Sequence, residues 1–199
     1  MVSSLLVRRT ASFAFAGTAL ALLSAVVAGC GSDKTVPQQV YVNATLSPAA
    51  SDPTSCMHAD GTELLQIGSI DETGSYSLVE NETTFDGASV QVECSVIPSG
   101  ANFAVKATAV RSGNPTGGTV TVSGTFSPTG TQTGISVILD SAANGIYEET
   151  DCTAVYANDN MGVAAGRVWA TFTCPNLQLE GQANVCLSTT ELRFENCTQ

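Results

Sequence analysis

The chain has 199 residues, with 7 Lys and Arg against 18 Asp and Glu, a formal net charge of −11, and a single His. A balance this acidic lacks the basic surface that phosphate backbones require, which argues against nucleic acid as a partner. One His excludes any metal or catalytic site built from two of them.

Residues 1–29 read as an export leader. Arg8 and Arg9 form a positive start, Ala11–Val27 is an uncharged run of Ala, Leu, Phe and Val, and the small residues Ala28 and Gly29 close it. The run is shorter, and richer in Ala, Ser and Thr, than the about 20 strongly apolar residues of a membrane span. Val27-Ala28-Gly29-Cys30 resembles the lipobox of bacterial lipoproteins: an apolar residue, two small residues, then Cys, with Val27 standing where Leu is commonest. The resemblance covers about 30 residues and implies that Cys30 receives a diacylglyceryl group on sulfur, that the leader is cut before it, and that the new amino terminus is acylated, with palmitate-type chains. Two or three such chains, at ~0.8 kcal/mol per buried methylene, hold a protein on a membrane almost permanently. It implies a cell-envelope location, on the outer membrane in a Gram-negative host, because Gly31 and not Asp follows the Cys.

Removal of the leader takes Arg8 and Arg9 with it, leaving 5 cations against 18 acids, a net charge of −13. Residues 30–39 are the lipidated Cys and a polar tether with one Pro. Residues 40–199 are of the size of one domain. Alternation of apolar and polar residues recurs along them, the mark of half-buried strands. Val40, Val42, Ala44 and Leu46 make one apolar face; Val90, Val92, Cys94 and Val96 another; then Phe103, Val105, Ala107 and Ala109; then Val120, Val122 and Phe126; and late in the chain Val168, Ala170, Phe172 and Cys174. Shorter strands are expected at 63–68, 75–80, 134–139 and 191–195. Turn signals at Pro98-Ser99-Gly100, within 113–118 and at Ser127-Pro128-Thr129-Gly130 make Ala88–Leu139 a four-stranded antiparallel meander. Helical signal is confined to single turns near 47–57 and 142–147. The expected fold is all-β, an antiparallel sandwich of roughly eight or nine strands stapled by disulfides, with a small β-barrel as the alternative.

Seven cysteines occur. If Cys30 carries lipid, Cys56, Cys94, Cys152, Cys174, Cys186 and Cys197 remain, an even set in an exported chain and therefore three disulfides. Pairing of sequence neighbours is the expectation: Cys56–Cys94, Cys152–Cys174 and Cys186–Cys197.

Candidate chemistry is sparse. Cys56-Met57-His58 concentrates soft and imidazole ligands, but a disulfide claims Cys56 and no C-x-x-C pair occurs, so no metal site is assigned. No G-x-S-x-G elbow accompanies His58, and no carboxylate pair stands out for glycoside cleavage. Glu148, Glu149 and Asp151, with Asp159 and Asn160 beyond, are oxygen donors that could gather around calcium, without the EF-hand spacing; the plainer reading is a solvated acidic loop. Trp169 lies on the Thr-lined face of its strand beside Arg167 and Thr171, either as a binding patch or beneath a neighbouring loop. The order of lipobox, tether, Thr- and Gly-rich β-domain and a late strand ending in Cys, carried by Val27–Cys30 and Gly166–Cys174, also resembles small lipoprotein antigens of mycobacteria, and transfers no functional residue.

The sequence thus points to a lipid-anchored envelope protein that is not an enzyme. Its expected role is a binding module for an envelope protein or polysaccharide, with a structural surface lipoprotein second and an envelope hydrolase last.

Overall fold

The computed structural model describes residues 36–49, 52–113 and 115–199. The leader, Cys30 and most of the tether lie outside the described residues. The described chain is all-β. β1 (Gln39–Pro48) and β2 (Thr62–Ile67) are followed by three two-residue strands, β3 (Ser69–Ile70), β4 (Tyr76–Ser77) and β5 (Val79–Glu80), and by β6 (Thr83–Phe85). The expected meander follows as β7 (Ala88–Ser99), β8 (Asn102–Arg111), β9 (Gly118–Phe126) and β10 (Gln132–Ser141). β11 (Gly145–Val155), β12 (Gly162–Ala164), β13 (Arg167–Leu179) and β14 (Val185–Glu195) complete it.

Twelve strands belong to one sheet, ordered β2-β1-β14-β13-β11-β10-β9-β8-β7-β6, with β5 added to β1 and β12 to β13. β3 and β4 form a separate small hairpin. The continuous sheet curls into a nearly closed barrel, within the expected all-β class. Its interior is the apolar set read from the alternation. Val40, Val42, Ala44 and Leu46 of β1, and Val168, Ala170, Phe172 and Cys174 of β13, are all fully buried. Phe126 and Phe172 meet edge to face at 6.0 Å across this core.

A seam closes the barrel between β1 and β7. β5 pairs with the start of β1, and β6 pairs with the start of β7. Beyond β6, side chains and the C-terminus replace the missing ladder. Asn81 Oδ1 accepts the Val92 N–H at 2.7 Å, and the Gln38 side-chain amide both accepts from Cys94 N–H (3.2 Å) and donates to its carbonyl (3.0 Å). Thr198 then pairs with both Cys94 and Val96 through the backbone, and the Cys94–Cys197 disulfide locks the junction. Pro37 and Gln38, which sequence composition assigns to the tether, therefore belong to the wall; Asn196 Nδ2 also donates to the Pro37 carbonyl. On the other side of β2, Arg111 at the end of β8 reaches across. It is 6% exposed, donates to the Gln66 carbonyl at 3.1 Å, pairs with Asp86 at 3.2 Å and lies over the Phe85 ring. Its Nε finds no acceptor among the described residues.

Four expectations are corrected. Only Cys152–Cys174 is a bridge between sequence neighbours; the other two are Cys56–Cys186 and Cys94–Cys197, spanning 130 and 103 residues. Neighbour pairing fails because the barrel brings the ends of the domain together: β1 and β14 are adjacent, and the C-terminus lies on β7. The acidic segment read as a loop is the strand β11. Its inward residues are Tyr147, Cys152 and Ala154, an odd step that two-residue alternation hides. Irregularities in the β10–β11 pairing, and a register shift between Cys174 and Leu177 opposite, absorb that step. β14 begins at Val185 and not at 191, because Ser188 and Thr190 face inward. Both are fully buried and hydrogen-bond each other at 3.0 Å. The segments 52–57 and 142–144 hold turns and not helix.

Candidate functional site

Pairing across β1, β14 and β13 sets Tyr41 opposite Arg193 and Arg193 opposite Trp169, in one row on the outer face of the barrel. Glu191 lies two residues away on the same face of β14. The hairpin β3–β4 folds over this row as a strap. Gly68 starts it, at φ +79°, in the left-handed region; a Cβ there would lie 2.5 Å from the Ser77 carbonyl oxygen. Asp71 ties the strap's tip: one carboxylate oxygen accepts from the Thr73 hydroxyl (2.6 Å), the Thr73 N–H (2.8 Å) and the Ser75 N–H (2.9 Å). The Thr73 hydroxyl first, then the backbone N–H groups, hold this carboxyl below its ordinary range.

The strap delivers Tyr76 onto the row. Its ring stands edge-on to Tyr41 at 4.9 Å and to Trp169 at 4.8 Å. The Arg193 guanidinium covers the Trp169 ring at 4.6 Å and is held by Glu195 through Nε at 2.8 Å. Glu191 Oε1 accepts twice, from the Tyr76 hydroxyl at 2.6 Å and from Trp169 Nε1 at 3.0 Å. Burial, then the hydrogen bond and charge of Glu191, push the Tyr76 phenol well above its ordinary value. Burial and the Glu191 charge push Tyr41 up to about 12.

Of the two residues expected to form a patch, Trp169 is 6% exposed and is covered by the strap, the second of the two sequence readings. Arg167 stays half-buried and opens onto the same place. Together with Tyr76, Arg193, Asp159 and Asn160 the pair lines an open groove of about 520 Å³. Tyr76, Glu191, Arg193 and Glu195 were not singled out from sequence. The alternation of Glu191, Arg193 and Glu195 with buried Leu192 and Phe194 marks an outward charged face, but its alignment with Trp169 needs the strand register.

The remaining candidates lie apart. Asp159 borders the groove, whereas Glu148, Glu149 and Asp151 lie on β11. Glu149 accepts from Asn176 N–H at 2.9 Å, Asp151 from Gly134 N–H at 3.2 Å, and burial raises the Glu149 carboxyl above its ordinary range. Among the described residues these four carboxylates do not converge on one point. Glu149, Cys152 and Cys174 do gather within 4.8 Å, but the two sulfurs are bonded to each other and offer no thiolate. Cys56 is likewise a half-cystine, Met57 is 66% exposed, and His58 Nε2 bonds the Tyr147 hydroxyl at 2.7 Å, one ring nitrogen thus engaged.

Comparison of the chain with protein-family models, with curated proteins and with solved structures returned no match.

Proposed function

We propose that this protein is a lipid-anchored module of the cell envelope that binds a partner without transforming it, and that the groove beside Trp169 is its binding face. The cysteine pattern carries the reading. All six cysteines after Cys30 are paired inside the barrel, which leaves Cys30, at the end of a leader with lipobox spacing, as the one sulfur free for an acyl anchor. Three bridges suit an oxidising compartment outside the cytoplasm. The barrel supplies a rigid support: its core is filled by aliphatic and aromatic side chains, and the groove is built on strands and a tied hairpin. The acidic surface suits a protein that works among other envelope components without adhering to nucleic acid.

The test is the intact mass of the protein extracted from its native membrane, before and after reduction. The expected species starts at Cys30, carries acyl mass, and exposes six thiols only on reduction. An unlipidated mass, or free thiols before reduction, would overturn the anchored reading. Crosslinking in intact cells then looks for envelope partners.

A further inference from the structure

We propose that the groove between the strap and the start of β13 is a saccharide-binding site for a neutral, hydroxyl-rich glycan. This inference rests on the binding-module reading above and names its ligand class.

Arg167 is half-buried, yet among the described residues its guanidinium has no hydrogen bond and no ion pair. Asp159, exposed at the rim of the same groove, also has no partner among the described residues, and no nitrogen of Arg167 lies within 4.0 Å of its carboxylate. Two opposite charges thus border one opening without meeting. A ligand able to donate to the carboxylate and accept from the guanidinium satisfies both, and a pair of neighbouring hydroxyls does so. Arginine's planar fork and a carboxylate's two oxygens each engage such a pair in bidentate fashion. The amide of Asn160 adds one donor and one acceptor.

Charge disfavours ligands of a single sign. Arg167 and Arg193 are balanced at the groove by Asp159 and by Glu195, which grips Arg193. An anionic ligand meets no net attraction there and a strongly acidic protein around it; a cation meets two guanidinia. The apolar surface is also of the right kind. Trp169 is closed off by Tyr76 and Arg193, so it forms a floor, while the partly exposed Tyr76 ring remains as an edge for the C–H face of a sugar ring. Glu191 locks both aromatics from below, so the site is formed before a ligand arrives.

The experiment uses the full chain, extracted in detergent, against immobilised neutral oligosaccharides of hexoses and N-acetylhexosamines and against their sulfated and carboxylated counterparts. A neutral oligosaccharide is expected to bind, and Arg167→Ala and Asp159→Ala are each expected to weaken it at least about ten-fold, the usual loss for a hydrogen bond to a charged group. Lys106→Ala, on β8, leaves binding unchanged. Unaltered Trp169 fluorescence certifies that the variants retain the fold. Binding restricted to the sulfated or carboxylated set overturns the proposal, as does neutral binding indifferent to both variants, or a groove that crosslinks to a protein and takes no glycan. A lipidated protein that binds no glycan defeats this inference alone; glycan binding by a protein without acyl mass defeats the anchor and leaves the groove.

Discussion

Opening the Cys94–Cys197 bridge with a Cys94→Ala/Cys197→Ala pair removes the covalent staple of the barrel's seam. Cys56–Cys186 and Cys94–Cys197 span 130 and 103 residues, and each taken alone would restrict the unfolded chain by about 5 kcal/mol in the loop-entropy picture. The two bridges interlock, however. With Cys56–Cys186 closed, the shortest covalent path from Cys94 to Cys197 runs back to Cys56, across that bridge, and on from Cys186, a circuit of about 50 residues that corresponds to about 4 kcal/mol. Opening Cys56–Cys186 instead releases the same circuit. The two double-Ala variants are therefore expected to lose equal stability, about 4 kcal/mol each, despite their different separations. All four sulfurs are buried, so the small cavities left behind largely cancel in the comparison. Opening both bridges removes about 9 kcal/mol, most of the stability of an ordinary domain. The assay is equilibrium guanidinium unfolding of the chain carrying Cys30→Ala, followed by Trp169 fluorescence and far-ultraviolet circular dichroism. A difference between the two variants above about 2 kcal/mol, or a loss below about 1 kcal/mol in either, would refute the circuit reasoning.

Alkaline titration tests the burial of the tyrosines. Burial raises all four, with Tyr41 and Tyr156 pushed up to about 12. The unfolded chain releases these protons near pH 10, so above that pH the folded state binds more protons and stability falls as pH rises toward 12. Tyrosinate absorbance of the native barrel is expected to lag that of the unfolded chain and to rise with unfolding; native tyrosines that ionise as readily as those of the unfolded chain would contradict it. At the acid end, the lowered Asp71 carboxyl contributes strap stability that is present above the ordinary carboxylate range and lost as pH falls through its depressed value. Amide resonances of Thr73 and Ser75 should report that titration, and Asp71→Asn should abolish it. Gly68→Ala forces an L side chain into the left-handed region, at about 1–2 kcal/mol, and against the Ser77 carbonyl as well; a red shift of Trp169 emission should mark the displaced strap, and wild-type emission and stability would show the strap is not hinged there. Glu191→Ala strips the Tyr76 hydroxyl and Trp169 Nε1 of their acceptor, at about 1–3 kcal/mol for each group left unpaired. Glu191→Gln keeps an acceptor oxygen and should recover most of the loss in thermal unfolding; equal losses in the two variants would argue that charge, not the hydrogen bonds, is what matters.

The fold class was legible because burial in a sheet writes a two-residue period into the chain. That period marks β1, the meander β7–β10 and the first half of β13. It fails where the backbone departs from regular pairing or where an inward position is polar. The irregular steps around Glu149–Cys152 and Cys174–Leu177 break the alternation of β11 and late β13. Inward Ser188 and Thr190 satisfy each other and so look like surface residues.

Sequence alone determined that the domain is all-β, that its cysteines form an even set apart from Cys30, and that Trp169 shares a polar strand face with Arg167, because composition and alternation are local properties. Which cysteines meet, which side chains stand over Trp169 and whether the sheet closes were decided by tertiary structure. Those depend on register between segments more than a hundred residues apart: β1 against β14, and the C-terminus against β7. Arg193 is set against Trp169 only because one register holds, and a slip of one residue between β13 and β14 would put the two on opposite faces of the sheet. Tyr76 reaches the same row through a hairpin with no alternation of its own, held by Gly68, Asp71 and Glu191, contacts that exist only once the barrel has formed beneath it.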